Sequence, residues 1–427
     1  MKILIVHYRY YITGGPERYL FNLKQALESR GHKVIIFSRR LSQNEDNEYK
    51  DYWVDNIGNS DSIYYNQTKK SIRIYFDMFC REFYSFKSKK ALKKLIKVTN
   101  PDICYLMVYK GVFSPSVIDA CVEMKLPIVN RISDYNPMCG ACSLYRDGHL
   151  CCDCFNDNDI SCLRHRCVKN SFILSSVRYA SMRFHERLKM NNKIDAIVCT
   201  NGFMKEMFLK RHLVPEEKLH VIPTFFHQTE DMSSLDKSLP KSDSGIKLLY
   251  IGNIDESKGI YDLINALAIV RKRRTDFRLY IVGGLHQEEN DVMIKLIQEK
   301  QLTDNVSFQP FRHDGRVYDY YINSHLTILP ARWPENLPNT LVESLYFHRP
   351  VVVPDKGSFK YTTDESIAFR YHAYSVDSLA DTILSVLDQP DKVKEKSESC
   401  EDYFQINYSE EMHINELLNL FEKFIPQ

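Results

Sequence analysis

Lys2-Ile3-Leu4-Ile5-Val6-His7-Tyr8 is a short apolar run with β-branched residues. It reads as a strand buried on both faces. Gly14-Gly15-Pro16 interrupts the chain after it, and Leu20, Leu23 and Leu27 then recur at helical spacing as far as Arg30-Gly31. Glycine at that point can close a helix. Residues 33–38, Lys-Val-Ile-Ile-Phe-Ser, form a second strand. Strand, glycine turn, helix and strand in this order specify a parallel βαβ unit.

The alternation continues outward from that unit. Strands are expected at 102–109, 127–132 and 196–199, with a helix over 114–124. Residues 228–245 are polar and irregular, the composition of an interdomain linker. The pattern restarts at 247–251, followed by a helical stripe of Ile260, Leu263, Ile264 and Leu267. Further strands are expected at 277–282, 306–308, 326–329 and 351–353, and a last helix over 410–424. The expected fold class is α/β. Two Rossmann-like, doubly wound domains, 1–227 and 246–404, would face a central cleft. Ligands of such sheets lie outside the carboxyl ends of the strands.

Composition narrows the function. The chain has 427 residues, enough for two or three domains. Lys and Arg number 57 against 55 Asp and Glu, a net charge of +2. That balance argues against a nucleic-acid partner. No apolar run approaches the roughly 18 residues that span a bilayer. The apolar start ends at His7-Tyr8-Arg9, too short for a signal peptide, so a cytoplasmic location is expected.

Three stretches carry candidate chemistry. Gly14 and Gly15 follow the first strand and open a helix, where a backbone can approach a phosphate and N–H groups point at it. The alternative is a tight turn and nothing more. Gly252-Asn253-Ile254-Asp255-Glu256-Ser257-Lys258-Gly259 repeats the arrangement and offers a lysine to a diphosphate. The commoner fate of such a lysine is a solvated surface. Pro334-Glu335-Asn336-Leu337-Pro338-Asn339-Thr340-Leu341-Val342-Glu343 sets two glutamates across a loop-to-helix junction. Pro338 and Asn339 suit a helix start. Backbone N–H groups near Asn339 and Thr340 would face an anion. Glu343 could accept from a ribose diol and Glu335 from sugar hydroxyls, unless both are ordinary surface glutamates. No paired Asp-x-Asp with metal-ligand character appears, and no catalytic divalent metal is expected.

Gly14-Gly15-Pro16-Glu17 with Arg30-Gly31-His32-Lys33-Val34, then Ser257-Lys258-Gly259, then the Glu335-to-Glu343 pair, resemble the retaining glycosyltransferases of family 4 over nearly the whole chain. The resemblance implies the GT-B fold and a last segment, 405–427, crossing back to the first domain. It implies transfer of a sugar, with retention, from a UDP- or GDP-type donor. The acceptor would be a glycan or lipid-linked glycan in surface polysaccharide synthesis. Gly15 and Lys258 would meet the diphosphate, Glu343 the ribose and Glu335 the transferred sugar, with the amides of Asn336 and Leu337 beside it. Residues 306–310 would flank the base. Three positions depart from the family pattern. Asn253 stands where a basic residue is common, Asn336-Leu337 where Gly-Phe is common, and Ser133-Asp134 where a His-Asp pair is common. Asp134 would serve near the acceptor, or else form a turn before Pro137. A sugar-nucleotide epimerase and a degenerate zinc-bearing scaffold are the rival readings.

Of 12 cysteines, seven lie between Cys139 and Cys167. Their spacing, C-x2-C, x8, C-x2-C and two more, suits a tetrahedral structural zinc, and seven thiols leave the choice of four open. A comparable insertion in part of the family matches Cys139, Cys151, Cys154 and Cys167. Residues 86–97, Phe-Lys-Ser-Lys-Lys-Ala-Leu-Lys-Lys-Leu-Ile-Lys, form a basic amphipathic segment. It is either a solvated helix face or a peripheral contact with the inner face of a membrane.

Overall fold

The computed structural model describes residues 1–57, 71–155, 160–228, 232, 234–241, 245–284, 287–310 and 317–425. The chain divides into two compact units. The first comprises Met1–Leu144, Cys152–Ile222 and His413–Gln427, and the second Tyr145–Cys151 and Pro223–Met412.

The first unit is built on a six-stranded parallel sheet. Its strands are β1 (Lys2–Val6), β2 (Lys33–Phe37), β3 (Ile103–Leu106), β4 (Ile128–Ile132), β5 (Ala196–Cys199) and β6 (Leu219–Val221), in the order β6-β5-β4-β3-β1-β2. Its helices are α1 (Gly15–Ser29), α2 (Ile72–Phe83), α3 (Phe86–Thr99), α4 (Ser116–Glu123), α5 (Phe172–Arg187) and α6 (Gly202–Lys210). Every residue of β3, β4 and β5 is buried, as helices on both faces of a parallel sheet require.

The second unit repeats the plan with β7 (Ile246–Ile251), β8 (Phe277–Gly283), β9 (Val306–Pro310), β10 (Leu326–Ile328), β11 (Val351–Pro354) and β12 (Ala368–Tyr371), ordered β9-β8-β7-β10-β11-β12. All five pairings are parallel. Its helices are α7 (Ile260–Arg271), α8 (Gln287–Glu299), α9 (Val317–Ile322), α10 (Asn339–Tyr346), α11 (Val376–Asp388) and α12 (Pro390–Tyr408). The two-residue period of a strand sorts β7 between two cores. Leu248 and Tyr250 join Leu263, Leu267 and Ile383 on one face. Leu249 and Ile251 join Leu341, Leu345 and Phe404 on the other. Each fully buried leucine among them contributes about 1.5–3 kcal/mol.

The last helix, α13 (Glu410–Glu422), contributes His413, Ile414, Leu417, Leu420 and Phe421 to the buried set. The His413 ring nitrogen Nε2 meets the Tyr19 hydroxyl at 2.9 Å, and Phe421 packs edge-on to Tyr105 at 5.5 Å. Residues from 413 onward thereby complete the first unit.

Arg349 has no exposed surface. Its guanidinium donates to five main-chain carbonyls: Tyr321 at 2.7 Å, Lys237 and Ser238 at 2.8 Å, Ile322 at 3.0 Å and His348 at 3.4 Å. Burial pushes its pKa down to about 10. An isolated buried cation costs several kcal/mol, and carbonyl dipoles replace the lost water here.

Two histidines are held neutral by burial, each with its pKa lowered to about 4. His325 Nδ1 accepts from the Lys247 N–H at 3.0 Å, and His185 Nε2 donates to the Phe83 carbonyl at 2.7 Å. The unfolded chain takes up these protons near pH 6.5, before the folded chain does. Stability is therefore intact above pH 6.5 and falls as pH drops toward 4, by at most about 1.4 kcal/mol per pH unit per group. Thermal unfolding at fixed ionic strength should show the midpoint descending across this interval, with a shallower descent in His325→Asn.

Candidate functional site

In the second unit the strand order reverses between β7 and β10. That switch point is where ligands of open α/β sheets bind. The loop after β7 carries Gly252, Asn253 and Lys258, and the loop after β10 carries Glu335. Both loops are tied together. The Ser257 carbonyl accepts from Arg332 N at 2.8 Å and Trp333 N at 3.1 Å. Arg332 also pairs with Glu256 at 3.0 Å and Asp262 at 2.9 Å. Gly259 permits the closure: its φ is +73°, and a Cβ there would lie 1.9 Å from the Pro330 carbonyl oxygen.

Lys258 Nζ sits 2.6 Å from Glu335 Oε1 and 4.8 Å from the centroid of the Trp333 ring. Glu335 is only 7% exposed, so this lysine supplies the countercharge of a nearly buried carboxylate. Asn336 and Leu337 follow directly. Pro338 caps α10 without a side-chain hydrogen bond, leaving first-turn N–H groups for another acceptor. Thr340 Oγ1 donates to the Ile251 carbonyl at 3.4 Å, fixing the start of α10 against the end of β7. Glu343 falls in the second turn and is buried, with Oε2 accepting from the Tyr321 hydroxyl at 2.8 Å. Asn253 is exposed, and its carbonyl accepts from the Tyr250 hydroxyl at 2.7 Å.

Three residues here escaped the sequence reading. Tyr321 orients Glu343. Trp333 lies under Lys258, and as one of two tryptophans in the chain it offered a signal. Lys356 Nζ donates to the Arg332 carbonyl and lies over the Tyr374 ring, and burial lowers its pKa to about 7.

In the first unit, Gly14 caps α1 and Gly15 begins it, again without a side-chain cap. The preceding loop is held by Glu17, which is 1% exposed. It meets His7 Nε2 and Arg9 Nε, each at 3.3 Å, and Thr13 Oγ1 at 3.0 Å. Burial keeps the His7 pKa low, so neutral His7 donates to the carboxylate. Asp134 follows β4, and its Oδ1 accepts from Asn136 N at 2.8 Å, the hydrogen bond of an Asx turn. It lines a cavity of about 30 Å³ with Tyr109 and Lys110. Burial raises the Asp134 carboxyl pKa and lowers the Lys110 ammonium pKa to about 8.

The cysteines sort differently from the expected set. Cys151 belongs to the second unit, whereas Cys139, Cys154 and Cys167 belong to the first. Among the described residues no group of three His, Cys, Asp or Glu forms a metal site. Cys162 hydrogen-bonds Cys167, with Cys154 and Cys139 as its further thiol neighbours, and these contacts together with burial raise its pKa. A Cβ on Gly140 would fall 2.4 Å from Cys162 Sγ, so the sulfur occupies the space glycine leaves.

Comparison with known proteins agrees with this architecture. The family model "Glycosyl transferases group 1" matches residues 231–404, and "Glycosyltransferase Family 4" matches residues 13–129. These segments are similar to glycosyltransferase domains, and the fold is GT-B. A lipopolysaccharide 1,2-N-acetylglucosaminetransferase of Salmonella typhimurium is 21% identical over 214 residues, 48% of this chain and 55% of that protein. The chain spans about a quarter to about a half of the length of the curated relatives it matches. The solved glycosyltransferase of Rickettsia africae superposes with a TM-score of 0.67 at 17% identity, covering 100% of this chain and 99% of that one. Anabaena Alr3699/HepE in complex with UDP-glucose superposes with a TM-score of 0.63 at 14% identity, covering 99% and 100%.

Tyr321→Phe removes a buried donor to Glu343 while keeping the ring. It should destabilise the protein by about 1–3 kcal/mol, measured by chemical unfolding.

Proposed function

We propose that this chain is a retaining glycosyltransferase. It takes a sugar from a nucleotide-diphosphate donor and passes it to a glycan or lipid-linked glycan in surface polysaccharide synthesis. The observation that carries the reading is the Lys258–Glu335 pair at the switch point, beside the open N-terminus of α10. A lysine and helix amides suit a diphosphate. A nearly buried carboxylate suits sugar hydroxyls. Glu343, oriented by Tyr321, suits a ribose diol. The UDP-glucose complex of the Anabaena neighbour favours a UDP donor over a GDP donor.

In this mechanism the bond from the sugar's anomeric carbon to the phosphate oxygen breaks. An acceptor hydroxyl oxygen bonds to that carbon on the same face. The hydroxyl proton passes to the departing phosphate oxygen. Lys258 and the α10 amides stabilise the charge that builds on the diphosphate. Glu335 and the amides of Asn336 and Leu337 hold the sugar. Asn253 offers no cation, so Lys258 carries more of this work. Gly14 and Gly15 offer amide donors of their own, and Asp134 is assigned to the acceptor. The reading gives no role to a divalent metal.

The test is binding and hydrolysis across UDP-, GDP- and dTDP-sugars. One donor should bind saturably. Lys258→Ala should weaken it by about ten- to a hundredfold, the worth of a charge-assisted contact. Glu335→Ala should abolish slow sugar release. No binding to any donor overturns the reading. An epimerase would convert the donor without an acceptor, and a scaffold would turn nothing over. Only a transferase yields a product larger than the donated sugar.

For the insertion, a structural zinc is proposed on Cys139, Cys151, Cys154 and Cys167, four of its seven thiols. The thiols would draw closer and release protons on binding. Protein purified anaerobically without chelator should contain one zinc per chain, lost in Cys139→Ser and in Cys154→Ser. Metal-free wild-type protein ends this proposal. Peripheral membrane contact through the lysines of 86–97 is proposed as the means of reaching a lipid-linked acceptor.

A further inference from the structure

The helix before that basic segment presents an apolar stripe that is exposed among the described residues. In α2, Ile72, Tyr75, Phe76 and Phe79 are 89%, 55%, 65% and 51% exposed. At about 100° per residue they fall within an arc of roughly 100° on the helix. The C-terminal end of α2 is anchored. Glu82 pairs with Arg178 of α5 at 3.0 Å, and Phe83 packs edge-on to Phe184 of α5 at 5.8 Å. The stripe therefore stands on a fixed base. Four large apolar side chains in one contiguous exposed strip mark an interaction surface.

Charge says what covers it. α3 follows after a two-residue turn, and Lys87 reaches back to Asp77 of α2 at 3.6 Å. Lys89 and Lys93 are both engaged by Glu123. Lys90, Lys94 and Lys97 are exposed, with Phe86 on the same outward face of α3. An exposed apolar strip followed in the chain by an exposed basic face matches a bilayer with anionic headgroups. Twelve residues span about 18 Å. That is short of the roughly 30 Å hydrocarbon core, so α2 can lie in the interface and cannot cross it.

We infer that α2 inserts its Ile72–Phe76–Phe79 stripe into the headgroup boundary of an anionic membrane while the outward lysines of α3 meet the lipid phosphates. The inference rests on the membrane contact proposed above and adds its apolar half.

Flotation of the full chain with phosphatidylcholine vesicles, with and without phosphatidylglycerol, tests it. The Ile72→Asp, Phe76→Asp double variant should lose at least about tenfold in partitioning to anionic vesicles, the worth of two buried apolar side chains. Changing Lys90, Lys94 and Lys97 to Gln should remove only the salt-sensitive part. Should the aspartate variant misfold, Phe76→Trp serves instead, with its indole emission expected to shift to the blue on vesicles. An unshifted emission overturns the inference. Wild-type partitioning by a folded aspartate variant also overturns it, and a loss confined to the lysine variant then leaves the basic helix acting alone. A wild-type dimer that the aspartate variant converts to monomer, with vesicle binding unchanged, assigns the stripe to a second copy and overturns it too. Vesicle binding is measured without donor, so failure of the transferase reading does not decide it.

Discussion

The second unit depends on a cation that has no water. Arg349 sits at the start of β11 with its fork filled by carbonyls from three separate segments. Two of those carbonyls belong to the end of α9, where Tyr321 turns its hydroxyl to Glu343. A charge buried for structural reasons thus sets the position of a carboxylate proposed to bind ribose. A truncated arginine would leave the carbonyls unsatisfied, and that desolvation cost would fall on the chain positioning the site.

The site needs close backbone approach as well as side chains. The Lys258 loop and the Glu335 loop meet through main-chain hydrogen bonds to Ser257, at a point where glycine alone fits beneath Pro330. Arg332 and Lys356 then fasten the same loop from two sides. Glu335 is held where it is by a chain of local constraints, which is what its proposed role on a reacting sugar would require.

Much of the fold was legible because buried parallel strands are continuous apolar runs. The runs in β1, β3, β5 and β11 stand out from their neighbours. β6 and β12 did not, because Leu219-His220-Val221 and Ala368-Phe369-Arg370-Tyr371 are short edge strands with polar, part-exposed members. At the site, glycines, Lys258 and the two glutamates could be read from type and spacing. Tyr321 could not, because it approaches Glu343 through the packing of α9 on α10. Cys162 was equally hidden, since nothing in the spacing tells which of seven thiols meet. The α2 stripe shows the deeper limit. Its i, i+3, i+4, i+7 pattern is that of a core-facing helix, and only the fold reveals that the face points outward.

The Lys258–Glu335 pair gives the empty site a counting rule. While they hold each other, neither charge is stranded. On the proposed reading, a diphosphate that draws the lysine away would weaken the countercharge of a nearly buried carboxylate, and sugar hydroxyls would offset that loss. A nucleotide without its sugar could not. On that proposal the pocket would favour an intact donor over the spent nucleotide, and the carboxylate that held the sugar would also favour departure of the leaving group.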